Sequence, residues 1–364
     1  LAYSNDEGLT WVKYDKNPII NIRLKDFRDP NVFWHEPSKQ YIMAVSKPKE
    51  FIIQFYGSQN LIQWDLLSEF GQQGDVEKIW ECPSLIQVPV EGMVESKKWV
   101  LFVSSQGPYK DYVGMQYFVG DFDGHYFTPY DRAAKWMDYG ADNYAGVTWN
   151  NTGDKIILAG WMSNWLYAQV VPTQKWRSGL TIPRNLSLVN TGDSAYGFLL
   201  ASKPIERVER LEKWVGSEHD KNIVLSKPFV INKKHGIKPS RVQLNLDTAR
   251  SFEIVLSNSQ QEELIIGYDH VKHQYFMDRS KSGITNFHPD FAAKHVAPRF
   301  TNAPKMNLDI IIDKASIELF ADNGLTVMTD LYFSKKPYTK IAIRSTDKKT
   351  KLTSFQLNPL KAVF

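Results

Sequence analysis

Trp99-Val100-Leu101-Phe102-Val103-Ser104, followed after an interval containing Gly and Pro by Tyr117-Phe118-Val119-Gly120-Asp121, decides how the whole chain is read. Both runs are short, dense in β-branched and aromatic side chains, and bounded by Ser, Gly or Asp. Those are the marks of strands that end in turns. Working outward, Tyr41 to Ser46, Ile156 to Trp161 and Phe252 to Leu256 repeat the pattern, whereas long helical periodicities are nearly absent. The expected fold class is therefore all-β. Over the first part of the chain the aromatic-rich groups recur at about 40 to 50 residues, the spacing of β-propeller blades.

A chain of 364 residues with 43% hydrophobic residues is long enough for two cores. The composition changes at Pro204-Ile205-Glu206-Arg207-Val208-Glu209-Arg210-Leu211-Glu212-Lys213-Trp214, where charged residues surround apolar positions 205, 208 and 211. That spacing predicts one short amphipathic helix used as a connector. Beyond it, Val242 to Leu246, Glu263 to Tyr268, Leu308 to Phe320 and Lys340 to Arg344 read as half-buried strands of a sandwich. The expected division is a propeller domain over 1–205, a linker over 206–214 and a sandwich domain over 215–364.

The net charge is only +4, from 44 Lys and Arg against 40 Asp and Glu, with the basic residues scattered along the chain. A nucleic-acid partner would need them gathered into a stripe. A single cysteine, Cys82, rules out an internal disulfide and leaves the redox compartment open. No apolar run is long enough to span a bilayer. The opening residues, Leu1-Ala2-Tyr3-Ser4-Asn5-Asp6, read like the middle of a longer protein, with any signal peptide lying upstream. Export, to the periplasm or the medium, is the expected location.

Three segments place carboxylates where a plain strand needs none. Asp26-Phe27-Arg28-Asp29-Pro30 precedes the apolar strand Val32-Phe33-Trp34 and is either a turn, with Arg28 pairing Asp26, or part of a site. In Trp80-Glu81-Cys82-Pro83 the glutamate either faces solvent at a strand start or sits among apolar neighbours. Desolvation there would raise its pKa toward that of a general acid. Cys82 reads as a small buried residue, since no His lies nearby to activate it. Asp138-Tyr139-Gly140-Ala141-Asp142-Asn143-Tyr144-Ala145, with Gly160-Trp161-Met162-Ser163-Asn164-Trp165, supplies carboxylates, amides and rings of the kind that hold sugars. With 11 Trp and 17 Tyr in the chain, core packing is the competing reading of each ring. Metal-ligand spacing, a phosphate loop and a dinucleotide fingerprint are all missing, so no metal or cofactor is expected.

Taken in order, these segments resemble glycoside hydrolase family 32, which holds invertases, levanases and inulinases. Phe27-Arg28-Asp29-Pro30 is similar to the family's arginine-aspartate-proline motif, and Trp80-Glu81-Cys82-Pro83 to its glutamate-cysteine-proline motif. Gln116 to Phe122, Asp138 to Ala145, Gly160 to Trp165, Trp176 to Leu180, Phe276 to Ser280 and Ile317 to Phe320 extend the likeness over nearly the whole chain. The resemblance implies a five-bladed β-propeller followed by a C-terminal β-sandwich. It also implies release of β-D-fructose from sucrose or fructans, levan or inulin, chiefly by exo attack. The implied chemistry is retaining, with two carboxyl groups about 5 to 5.5 Å apart. Glu81 would be the general acid/base and Asp29 the transition-state stabiliser. Arg28 would orient the acids, and Asp142, Tyr144 and Trp165 would line the substrate pocket.

The sequence departs from this pattern in two places. The family's nucleophilic aspartate belongs to an asparagine-aspartate-proline-asparagine-glycine segment that these residues do not contain, so the nucleophile is unassigned and the first blade is expected to be largely missing. A shortened form of an active enzyme is the reading preferred over a blade supplied by a separate N-terminal segment or a non-catalytic fructan-binding relative. Ser84 stands where relatives often carry aspartate, which bears on the leaving-group side of the pocket. Separately, Ser4-Asn5-Asp6-Glu7-Gly8-Leu9-Thr10-Trp11 fits the turn of sialidase-type propeller blades. It reads as a blade turn with Trp11 packed beneath it, and a sialidase-like hydrolase is the weaker alternative.

Overall fold

The computed structural model describes residues 1–192 and 196–362 and is built almost wholly of antiparallel strands. It divides into two compact units. The first holds Leu1–Gln87, Lys97–Gln106 and Gln116–Lys135, and the second holds Val88–Ser96, Gly107–Met115 and the chain from Trp136 onward.

In the first unit, strands Arg28–His35, Gln40–Lys47, Ile52–Ser58 and Asp65–Gly71 form a four-stranded sheet in chain order. Most of a second sheet lies here as well, built on Glu81–Pro89, Lys97–Gln106, Val113–Phe122 and Phe127–Pro129. Both have the size and sequential order of propeller blades. Strand Gln40–Lys47 is buried on both faces, which is why it reads as a continuous apolar run. Ile42 and Ala44 join a core with Phe55, Phe70, Trp80 and Phe118, while Met43 and Val45 face Tyr56 and Phe27. The hairpin Ala2–Tyr3 to Val12–Lys13 closes through the Ser4–Trp11 turn. Asp6 accepts from Ser4 Oγ, Thr10 Oγ1 and the Thr10 amide, which hold its pKa down at about 2. Trp11 departs from expectation. Its indole donates to Gly8 O and leans on that glycine, but the ring is 64% exposed, because a two-stranded hairpin offers nothing to pack beneath.

In the second unit, Tyr144–Thr148, Ile156–Met162, Arg184–Asn190 and Phe198–Pro204 form a sheet with Gly179–Leu180 on its edge. Two six-stranded sheets follow, enclosing a core to which Val242, Leu244, Leu246, Ile254, Ile266 and Phe355 contribute. Buried Val242, Leu244 and Leu246 alternate with outward Gln243 and Asn245, the period-two pattern of a sandwich layer. The connector is the 3-10 helix Glu206–Leu211, anchored by buried Val208, and so lies where the charged stretch predicts it. Compactness does not break at that connector, however. Arg184, on the sheet before it, donates to Asp138 (2.8 Å) and to Glu318 of the sandwich (2.8 Å), all three fully or nearly fully buried. Buried ions missing a partner are costly, so such a network joins the elements that supply it.

Candidate functional site

Arg28 and Asp29 open a strand that slips register against its neighbour. Arg28 pairs with Ser46 and Asn31 with Ala44, so Asp29 and Pro30 together face the single residue Val45. This is a β-bulge, which turns a side chain away from the direction the pleat would give it. Asp29 takes the left-handed conformation there (φ 62°), a strained choice for a residue with a Cβ. Pro30 suits the position, having no amide to leave unpaired. Cys82 is likewise left-handed (φ 47°) at the start of strand Glu81–Pro89. The two irregularities meet, with the Cys82 amide donating to Asp29 Oδ2 at 3.0 Å and Sγ lying 3.8 Å from the same oxygen.

Arg28 ties the carboxylates together. Its Nε and Nη2 both donate to Glu81 Oε1, at 3.1 and 3.0 Å, and its Nη1 donates to Asp26 Oδ1 at 3.0 Å. Asp29 Oδ2 lies 4.0 Å from Nε. Lys49 Nζ holds the other oxygen of Asp26 at 2.6 Å. Three carboxyl groups thus share two cations. Burial works against the Arg28 cation, but its bonds to Glu81 and Asp26 outweigh that and raise its already high pKa. The Lys49 bond, and then Arg28, hold Asp26 below the usual carboxylate range against burial. Burial, reinforced by the charges of Asp29 and Glu81, pushes the Cys82 thiol up to about 12. Cys82 is therefore a neutral S–H beside Asp29, and no nucleophile. Glu81 and Asp29 keep 20% and 30% of their side chains exposed, so both remain reachable.

The surroundings of Glu81 differ from the apolar ones the sequence suggested. Trp80 is fully buried on the other side, between Phe70 and Phe118 at 6.2 and 6.1 Å, with its indole donating to Asp75 O. Successive residues of an extended chain point to opposite faces, so the indole next in sequence is not next in space. Glu81 meets a guanidinium instead. Ser84 is buried as well, its Oγ finding no hydrogen-bond partner among the described residues.

Of the three pocket residues expected in the second unit, Trp165 alone presents surface. It is 55% exposed, its ring 4.9 Å from that of Trp161. Tyr144 is buried and pairs in register with Trp161. Asp142 is fully buried and its carboxylate is already engaged: Oδ2 accepts from Arg279 Nη1 (2.6 Å) and the Leu331 amide (2.8 Å), and Oδ1 accepts from Tyr167 Oη (2.9 Å). Both oxygens of Asp142 are thus occupied by donors from the protein. Its part in this structure is a buried ion pair.

Lys49 was the residue that sequence reasoning missed. It lies on the far side of the hairpin from Asp26, and nothing local in Lys47-Pro48-Lys49-Glu50 marks it. The constellation of Arg28, Asp29 and Glu81 can donate a proton from one carboxyl group and hold hydroxyl groups or positive charge with the other, which is the equipment of glycosidic bond cleavage.

The model of the glycosyl hydrolases family 32 N-terminal domain matches residues 1–197, and that of the family 32 C-terminal domain matches residues 212–359. A levanase from Bacillus subtilis is 37% identical over all of this chain and 55% of its own length. The extracellular exo-inulinase inuE from Aspergillus niger is 35% identical over 92% of this chain and 66% of its own. The chain thus spans between half and two thirds of these relatives. The crystal structure of the Aspergillus awamori exo-inulinase superposes with a TM-score of 0.89 at 31% identity, covering 100% of this chain and 74% of that one. A β-fructofuranosidase from Schwanniomyces occidentalis, solved with fructosyl-erythritol, gives 0.88 at 32% identity over 99% of this chain and 75% of that one.

Proposed function

The chain belongs to glycosyl hydrolase family 32, matched over residues 1–197 and 212–359, and from that premise we propose that it serves to release β-D-fructose from sucrose or a fructan with retention of configuration. The observation that supports this most is the convergence of Arg28, Asp29 and Glu81. Two carboxylates far apart in sequence are brought to one guanidinium and one backbone amide by two left-handed residues. Backbone strain of this kind persists where surrounding structure over-determines it, and it concentrates at functional sites.

In this reading Glu81 gives its proton to the leaving oxygen and then activates water. Asp29, pinned by the Cys82 amide, holds fructose hydroxyls and the charge that develops on the sugar. Arg28 fixes the Glu81 carboxylate in position. A retaining reaction also needs a nucleophilic carboxylate, which we assign to none of the described residues. Trp165 offers a ring to a bound sugar. Relatives named as extracellular support action outside the cell, and among the described residues no helix is long and apolar enough to cross a membrane.

The test is Glu81→Gln in the protein that carries these residues. Loss of a general acid costs about 10²- to 10⁴-fold in rate. Fructose release from sucrose should fall by at least the lower figure with the thermal unfolding midpoint unchanged. Activity within a few-fold of the parent would reject Glu81 as the acid.

A further inference from the structure

The turn that leads from the connector into the sandwich displays a tryptophan with no packing reason to be there. Trp214 is 87% exposed and its neighbour Val215 is 88% exposed. Their backbone is nevertheless held. The Lys213 amide donates to Pro359 O (2.8 Å), the Ser217 amide closes the turn on Trp214 O (3.1 Å), and Ser217 Oγ donates to Lys213 O (2.5 Å). Gly216 supplies the positive φ (87°) the turn requires. The indole lies against the His219 ring, centroids 5.8 Å apart and planes 25° from parallel. It is a fixed platform on an exposed turn.

This platform borders a cleft of about 410 Å³ whose other walls are polar, among them Glu212, His219, Gln356 and Asn358. The sheet register sets them out. His219 pairs with Gln356 across the strands, and Asn358 lies two residues further along the same face. Glu212 is fixed from behind, accepting from Arg241 Nη1 (3.0 Å) and from Asn358 Nδ2, while Arg241 is itself locked to Asp309 (2.7 Å). Among the described residues the strand Glu218–Val224 is an edge of its sheet, paired with Lys351–Pro359, so the cleft opens at a sheet margin. One exposed ring, amides, an imidazole and a carboxylate pre-set by an arginine recognise a neutral ligand rich in hydroxyl groups. Glu209 and Glu212 outnumber the single Lys213 in the lining, so the cleft offers an anion no excess positive charge, and a purely apolar ligand would bury these polar walls unpaired.

We propose that the Trp214 cleft is a second, non-catalytic carbohydrate site that binds a β-linked fructose chain. The identity of the sugar rests on the proposed function. A polymer offers the cleft many equivalent segments, so the site acts on polymers and not on sucrose.

The experiment compares the parent, Trp214→Ala and Trp214→Phe in the full protein. Retardation in native gels containing levan or inulin reads the site, and sucrose hydrolysis reads the catalytic reaction separately. Truncating a stacking Trp at the centre of a recognition surface weakens binding by about 5- to 30-fold. Trp214→Ala should lose retardation by that factor with sucrose kinetics unchanged, and Trp214→Phe should recover part of it. Retardation equal to the parent's, or a parent that is not retarded by either polymer, overturns the site. If Trp214→Ala instead changes only the sedimentation of the protein, the face joins two copies of this chain, and the proposal is wrong. Failure of sucrose hydrolysis in the parent would count against the proposed function alone, because retardation is read independently.

Discussion

Replacing Arg279 by Met removes one charge from the most deeply buried ionic cluster of the second unit. Arg279 is fully buried, and its guanidinium donates to Asp142 Oδ2 (2.6 Å), Tyr167 Oη (2.9 Å), Phe291 O (2.7 Å) and Leu331 O (3.3 Å), while lying 4.0 Å over the Phe291 ring. Asp330 is 3.9 Å away and also binds His295 (2.8 Å). Methionine roughly keeps the length and the contact with Phe291, so little cavity cost is added and the charge dominates. Asp142 would be left buried without its cation. Breaking a buried pair from one side costs about 3 to 5 kcal/mol. For a unit of this size each kcal/mol shifts the melting midpoint by about 2 to 4 °C, so the midpoint should fall by on the order of 10 °C. Urea unfolding followed by near-UV circular dichroism measures it, and the Arg279→Met/Asp142→Asn double variant should recover part of the loss, since the stranded charge is gone. A loss below about 1 kcal/mol in Arg279→Met would refute the assignment of Asp142 to structure. An Asp142→Asn variant of parental stability that raises KM for sugar would return Asp142 to the pocket.

Asp26→Asn should loosen Arg28 without removing it, lowering fructose release by about 3- to 30-fold through misplacement of Glu81; Lys49→Met should do the same more weakly, and parental kcat/KM in both would show that Arg28 needs neither. Because the Cys82 thiol is pushed up to about 12, it stays protonated at neutral pH. Iodoacetamide at pH 8 should label the half-buried Cys82 much more slowly in the native protein than after urea unfolding, and equal rates would contradict the raised pKa. Asp6 has a folded pKa of about 2 against an ordinary 3.8, so its contribution to the hairpin is complete above pH 4 and is lost as the pH falls through 2. Its carboxyl carbon resonance should titrate near 2, and a midpoint at the ordinary value would show the turn is not formed.

Local chemistry made some of this molecule legible in its sequence. Strand runs such as Tyr41 to Ser46 and Val242 to Leu246 are declared by side-chain type and period, because burial on one face or on both leaves its pattern along the chain. The charged connector was readable for the same reason, its apolar positions converging on Val208. Glu81 and Asp29 stood out in sequence as motifs, Asp29 directly before Pro30 and Glu81 two residues before Pro83. What the sequence could not carry was which partner each carboxylate meets, since that depends on residues brought together by sheet register. Asp142 reads in sequence as a sugar ligand, yet Arg279, remote in sequence, donates to its oxygen. Trp80 looked like a wall of the Glu81 site, but alternation along an extended chain sends it into the core. The bulge that aims Asp29 exists only because three steps on one strand are matched by two on the next, a mismatch between two segments that neither one records alone. Composition and period are properties of a segment and fix its type. Electrostatic partners and strained backbone belong to pairs of segments, and only their packing decides them.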